Sequence, residues 1–190
     1  MDKNLVHDTA SATVIRGSTI TDKMDIIGIY HMECLDSAGN VKWSEEFDNL
    51  VTTQGKNHLL DHGLTGPATA VITRMSLITS GTPVAGDTYA AHAGFAELAA
   101  GVATPRGTPA YSAAASGVKS TSAAVSFSII GTGTVTGAAI NLIVAAAGNL
   151  GVVADTATAS AILYSAGLFA SSKSVSNGDT LNVTYSSTLT

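Results

Sequence analysis

Two histidines four residues apart flank a carboxylate in the run His58-Leu59-Leu60-Asp61-His62. On a helix that spacing puts both imidazoles on one face, where they could grip zinc, and the run approaches the H-x-x-E-H pattern of zinc hydrolases. Under that reading the chain is a small zinc-dependent hydrolase using His58 and His62. Asp61 stands where such sites carry glutamate, and its carboxylate, one methylene shorter, would meet a metal-bound water differently. No later glutamate falls in a helical context to act as third ligand. The preferred reading is a short helix with its polar side chains outward, so that no metal and no cofactor are expected.

Other candidate chemistry fails on similar grounds. Gly81 to Thr88 (GTPVAGDT) has phosphate-loop spacing, but Asp87 sits where the lysine must be and would repel phosphate. Gly131, Gly133 and Gly137 miss the dinucleotide fingerprint by one place, and β-type sequence follows instead of a helix. Glycines in such a setting mark turns or close backbone contacts. Glu45, Glu46 and Asp48 include a pair on one strand face, yet aromatic platforms for a sugar are scarce, which leaves a solvated face. No nucleophile elbow of the G-x-S-x-G type is present. Cys34 is the single cysteine. In the alternating context Tyr30, Met32, Cys34 it reads as a buried thiol, since a reactive one needs a basic, partly exposed setting.

The framework holding these residues is unusual in its charge. Most of the 9 basic and 14 acidic residues precede Gly63; beyond it only Arg74, Asp87, Glu97, Arg106, Lys119, Asp155, Lys173 and Asp179 are charged. Surfaces stay dispersed through interspersed charge, so a segment this neutral is expected to be covered, by its own sheets or by neighbouring copies. The net charge of -5 argues against a nucleic-acid partner, which calls for clustered Lys and Arg. The first residues lack the apolar run of a signal peptide. The uncharged stretch between Lys119 and Asp155 is broken by serines, threonines and glycines, so no membrane span is expected. Much of the 45% apolar content is alanine and aromatics are only 5%, which predicts a core of small, closely packed side chains.

The pattern predicts an all-β fold with one short helix: an antiparallel β-sandwich or jelly roll with an extended N-terminal arm. Residues 1–23 form the arm, and residues 24–190 form a single β-rich domain. Residues 25–35 and 41–51 flank Asp36-Ser37-Ala38-Gly39-Asn40 as a β-hairpin. Residues 53–63 form the helix, capped by Thr52 or Thr53, ended by Gly63, with Leu59 and Leu60 facing the core. A strand over 71–79 follows, then a long ordered loop over 80–111. Strands over 122–130, 134–144, 160–169 and 179–189 are separated by glycine-bearing turns.

Several phrases resemble small structural proteins of tailed bacteriophages. Residues 49–61 (NLVTTQGKNHLLD) are similar to their "NLV-x-x-x-G-x-x-x-LLD" entry. Gly86-Asp87-Thr88-Tyr89, His92, Gly94-Phe95 and Glu97-Leu98 resemble the following "GDT…GWTE" loop, with Phe95 in place of tryptophan. Arg106 and Tyr111 fit an "R…Y" step, and residues 134–140 and 178–185 fit the β-rich end. The resemblance covers residues 41–190 and implies a non-enzymatic virion structural protein. Decoration (cement) of the capsid exterior is its first implication, a tail or neck position its second. The partners implied are the major capsid protein and neighbouring copies, as a homotrimer, the protein being made in the host cytoplasm. Val14, Ile15 and Ile20 in the arm are the candidate interface residues for the shell or a neighbouring copy.

Overall fold

The computed structural model describes residues 25–66, 71–92, 94–99, 101–103, 106–144 and 161–190. The expected arm, with Val14, Ile15 and Ile20, lies outside the described residues, as does the turn expected at residues 147–149. The elements are β1 (Ile26–Leu35), β2 (Val41–Val51), α1 (Thr53–Thr65), β3 (Val71–Gly81), β4 (Phe95–Glu97), β5 (Arg106–Gly107), β6 (Val118–Ser120), β7 (Val125–Ser128), β8 (Gly133–Val144), β9 (Ile162–Val175) and β10 (Thr180–Leu189). The named strands pair antiparallel throughout, in the order β4-β3-β8-β9-β2-β1-β10-β6, with β5 added to β3 and β7 to β10.

Strand β2 turns this ladder into a sandwich. Val41 to Asp48 pair with β1, whereas Asn49 to Val51 pair with β9. One half is therefore β2-β1-β10 with β6 and β7, and the other is β9-β8-β3 with β4 and β5. Asn49 closes the split where β2 leaves β1. Its Oδ1 accepts the Gly28 N–H at 2.8 Å and its Nδ2 donates to the Tyr185 hydroxyl at 2.8 Å. Gly28 has no side chain because a Cβ there would meet both groups.

Strand alternation sends one side chain in two to the interior. Tyr30, Met32 and Cys34 of β1, Phe47 of β2 and Leu181, Val183 and Tyr185 of β10 are buried against Met75, Leu77, Ile140 and Phe169 of the facing half. Tyr30 stacks on Phe47 with ring centroids 5.1 Å apart, and Phe47 meets Phe169 edge-on at 4.8 Å. Strands β3 and β8 are buried on both faces. Ile78, Ala139, Ile143 and Leu163 form a second cluster on the outer side with Tyr89 and Phe95. The close packing expected of a small-residue core is clearest between β8 and β9, where a Cβ on Gly137 would collide with the Gly167 carbonyl. The all-β sandwich with one short helix is the fold that the sequence pattern predicts.

Several boundaries differ from expectation, and the strand expected over 122–130 is confined to Val125–Ser128. The helix runs past Gly63 to Thr65 and ends at Gly66, which adopts the left-handed φ of 78°. Open space around Gly63 lets the helix continue through it at the modest cost of a helical glycine. The segment 80–111 contains β4 and β5, which cover the edge of β3. Strand β6 adds an element within a run of polar residues, held by only three paired positions on β10. Strand β9 extends to Val175 because β8 pairs with its polar end, Gly133 with Val175 and Thr134 with Ser174.

Candidate functional site

The one helix is fastened at its start and released at its end. Thr52 caps α1, its hydroxyl accepting the Gly55 N–H at 3.0 Å and donating to the Leu163 carbonyl. Gln54 reaches the same strand: its Oε1 accepts from Leu163 N at 2.8 Å and Tyr89 N at 3.1 Å, and its Nε2 donates to Ala161 O at 3.3 Å. Gly55 is the only buried residue of α1, pressed so close to the Tyr164 carbonyl that a Cβ would not fit. This fastening fixes the first turn alone. Leu59, Leu60 and Leu64 are 39%, 50% and 84% exposed, which corrects the expectation that Leu59 and Leu60 face the core. The first turn rests directly on the β9 backbone, and the following turns carry the leucines beyond the sheets.

Between α1 and the ends of the strands the sandwich is open. Ile26 and Leu189 share the inward faces of β1 and β10 with Tyr30 and Tyr185, yet among the described residues no facing strand covers them. With Leu60, Leu64 and Tyr164 they wall an apolar groove of about 710 Å³. A smaller recess of about 210 Å³, walled by Tyr111, Leu142, Tyr164 and Tyr185, shares Leu59 and Lys119 with it. Lys56 and Lys119 stand on the groove wall, with Asp25 at one end. Burial holds the Tyr164 hydroxyl above its usual range, and burial followed by the neighbouring Tyr164 pushes Tyr185 up to about 12, so both phenols stay neutral.

The sequence pattern does not single out this groove. Leu64, four residues after Leu60, is the available signal, hidden by taking Gly63 as the helix end. Ile26 and Leu189 continue the inward alternation of their strands, which marks their face but not the lack of anything opposite. Just outside the groove, Ile27 and Ile29 project from the other face of β1, 47% and 39% exposed, and Leu50 of β2 is exposed as well.

His58 and His62 do come together, with ring centroids 3.9 Å apart. Partial burial, then His62, lowers the basicity of His58, while Asp61 works the other way. Among the described residues no group of three His, Cys, Asp or Glu side chains is placed to hold a metal. Glu45 is paired with Lys173, and Glu46 and Asp48 are exposed on the outer face of β2. Asp87 is buried and accepts the Val84 N–H at 2.8 Å, so it secures a turn. Cys34 is fully buried, its Sγ 3.9 Å from Asp179. Asp179 in turn receives Lys42 at 2.5 Å.

The residues of the "GDT…" and "R…Y" phrases build a second polar assembly. Arg106 donates from Nε and Nη2 to Glu97 at 3.1 and 2.8 Å, and from Nη1 to the Tyr89 hydroxyl at 2.5 Å. Its role is to tie the 82–98 segment to the β5 edge. No described helix is long and apolar enough to cross a membrane. The chain matches no family model, no curated protein and no solved structure.

Proposed function

We propose that this chain is a non-enzymatic structural protein of a tailed-phage virion, a decoration protein that binds the exterior of the head shell and stabilises it by buried area. The observation that carries this reading is the concentration of apolar exposure at one end of the sandwich. Of the ten large apolar residues exposed among the described ones, Ile27, Ile29, Leu50, Leu59, Leu60, Leu64 and Leu189 belong to the start of β1, the end of β2, α1 and the end of β10. Exposed apolar side chains gathered at one end of a domain are the kind of surface that docks on a partner. The outer strands are short: β4 and β6 have three residues each. Such short edges discourage strand addition to the domain itself, so side-chain burial is the favoured means of docking.

The phrases that carry the resemblance support the same reading. Residues 49–61 form the joint between β2 and α1, which builds one wall of this end. The partner is a major capsid protein, and copies associate as cyclic trimers, closed symmetry being the usual outcome for such parts. Co-sedimentation with undecorated heads tests the proposal. The full chain is expected to bind. Ile27→Asp with Ile29→Asp is expected to weaken binding about tenfold or more, since each exposed isoleucine buries apolar area on docking. His58→Ala with His62→Ala is expected to leave binding unchanged. Binding to tails or necks but not heads would shift the assignment to the second position that the resemblance implies. Binding to none of these, with loss of a hydrolytic activity in the histidine variant, would overturn it.

A further inference from the structure

We propose that the groove at the open end of the sandwich is the seat of residues 13–20 of the same chain, with Val14, Ile15 and Ile20 supplying the apolar side chains that cover Leu60, Leu64 and Leu189. The inference does not depend on the capsid reading, and it leaves Ile27, Ile29 and Leu50 as the apolar side chains of this end that face a partner. It rests on where the chain enters the described structure. Asp25 is a wall residue of the groove, and its backbone is held there by two hydrogen bonds with Thr190, at 2.8 and 3.0 Å. The chain therefore enters the described structure at the groove itself.

Reach and tethering favour the chain's own segment. Ile20 is five residues from Asp25 and Ile15 ten, allowing spans of roughly 17 and 35 Å when extended. A short tether gives an effective concentration on the order of millimolar, above that of any second copy in dilute solution. The groove, about 710 Å³, is in the range that takes a cluster of side chains. Its chemistry matches as well. The walls are apolar, and Lys56 and Lys119 stand on them, while the segment offers three β-branched apolar residues and, two places after Ile20, the carboxylate of Asp22. The arm, expected from the sequence to contact the shell or a neighbouring copy, is thereby assigned to its own domain.

Amide hydrogen exchange on the full-length chain tests this. Residues 14–20 are expected to exchange about tenfold or more slowly than an unstructured chain, equally at low and high protein concentration. The variant Leu60→Lys with Leu64→Lys should return them to fast exchange while the strands of the sandwich stay protected, because neither leucine belongs to the core clusters. Leu189→Lys, on the opposite wall, should do the same. Fast exchange of residues 14–20 in the unaltered chain would overturn the proposal, as would protection that survives all three substitutions. Protection that disappears on dilution would overturn it too, by giving the groove to a second copy.

Discussion

Cys34 illustrates how this molecule uses the few polar and reactive groups it has. It lies on the inward face of β1, and burial first, then the charge of Asp179, pushes its thiol up to about 11 against an ordinary 9.0. For Asp179 burial acts upward, but the hydrogen bond from Lys42, the Ser176 N–H and the charge of Lys42 outweigh it and leave the carboxyl below its usual range. The two shifts act on stability in opposite directions of pH. The Cys34 contribution is full below pH 9 and is lost as pH rises toward 11, because the unfolded thiol ionises first. The Asp179 contribution is present above the unfolded carboxylate pKa and is lost as pH falls through the lower folded value. Melting temperatures measured against pH should therefore decline less between pH 9 and 11 in Cys34→Ala than in the unaltered chain. Superimposable slopes for the two proteins in that window would contradict this assignment. The burial of Cys34 is legible from alternation with Tyr30 and Met32. The Lys42–Asp179 pair is not, because those residues lie 137 positions apart and only the pairing of both β2 and β10 with β1 brings them together.

At the scale of elements, α1 is the informative case. Its start is written in the sequence to within one residue, since Thr52 and Thr53 both offer a capping hydroxyl. Its end is not, because a glycine inside a helix and a glycine beyond one look alike until the neighbouring space is known. Thr52 does two jobs at once, capping α1 and bonding the Leu163 carbonyl, so Thr52→Ala should cost about 1–2 kcal/mol and lower the melting temperature by roughly 2–8 °C. Calorimetry checks this, and a loss under about 0.3 kcal/mol would mean that the cap is dispensable. The strands divide in the same way. In β10 the alternation of residue types is enough to mark the inward set, Leu181, Val183 and Tyr185. The polar end of β9, Ser171 to Ser174, carries no apolar alternation and is a strand only because β8 lies beside it. Strands β4, β5 and β6 are three residues or fewer, too short for any periodicity to register.

The whole molecule is a sandwich made from a single ladder that bends at β2, and this accounts for its open end. Where β2 crosses from one half to the other, β1 and β10 run on with no facing strand among the described residues, and α1, fastened only by its first turn, covers them in part. Sparse charge beyond Gly63 points to covered surface, and much of that cover proves to be internal, since β3 and β8 are buried on both faces. Uncovered apolar surface instead gathers at one end, around residues drawn from distant parts of the chain, which no local pattern could locate. We propose that Ile27, Ile29 and Leu50, exposed beside the groove at this end, supply the face that docks on a larger particle. The most direct test is to count this polypeptide in purified virions and locate it by electron microscopy of labelled particles. The account predicts many copies distributed over the whole head; absence from the particle, with the protein a solitary monomer in solution, would contradict it.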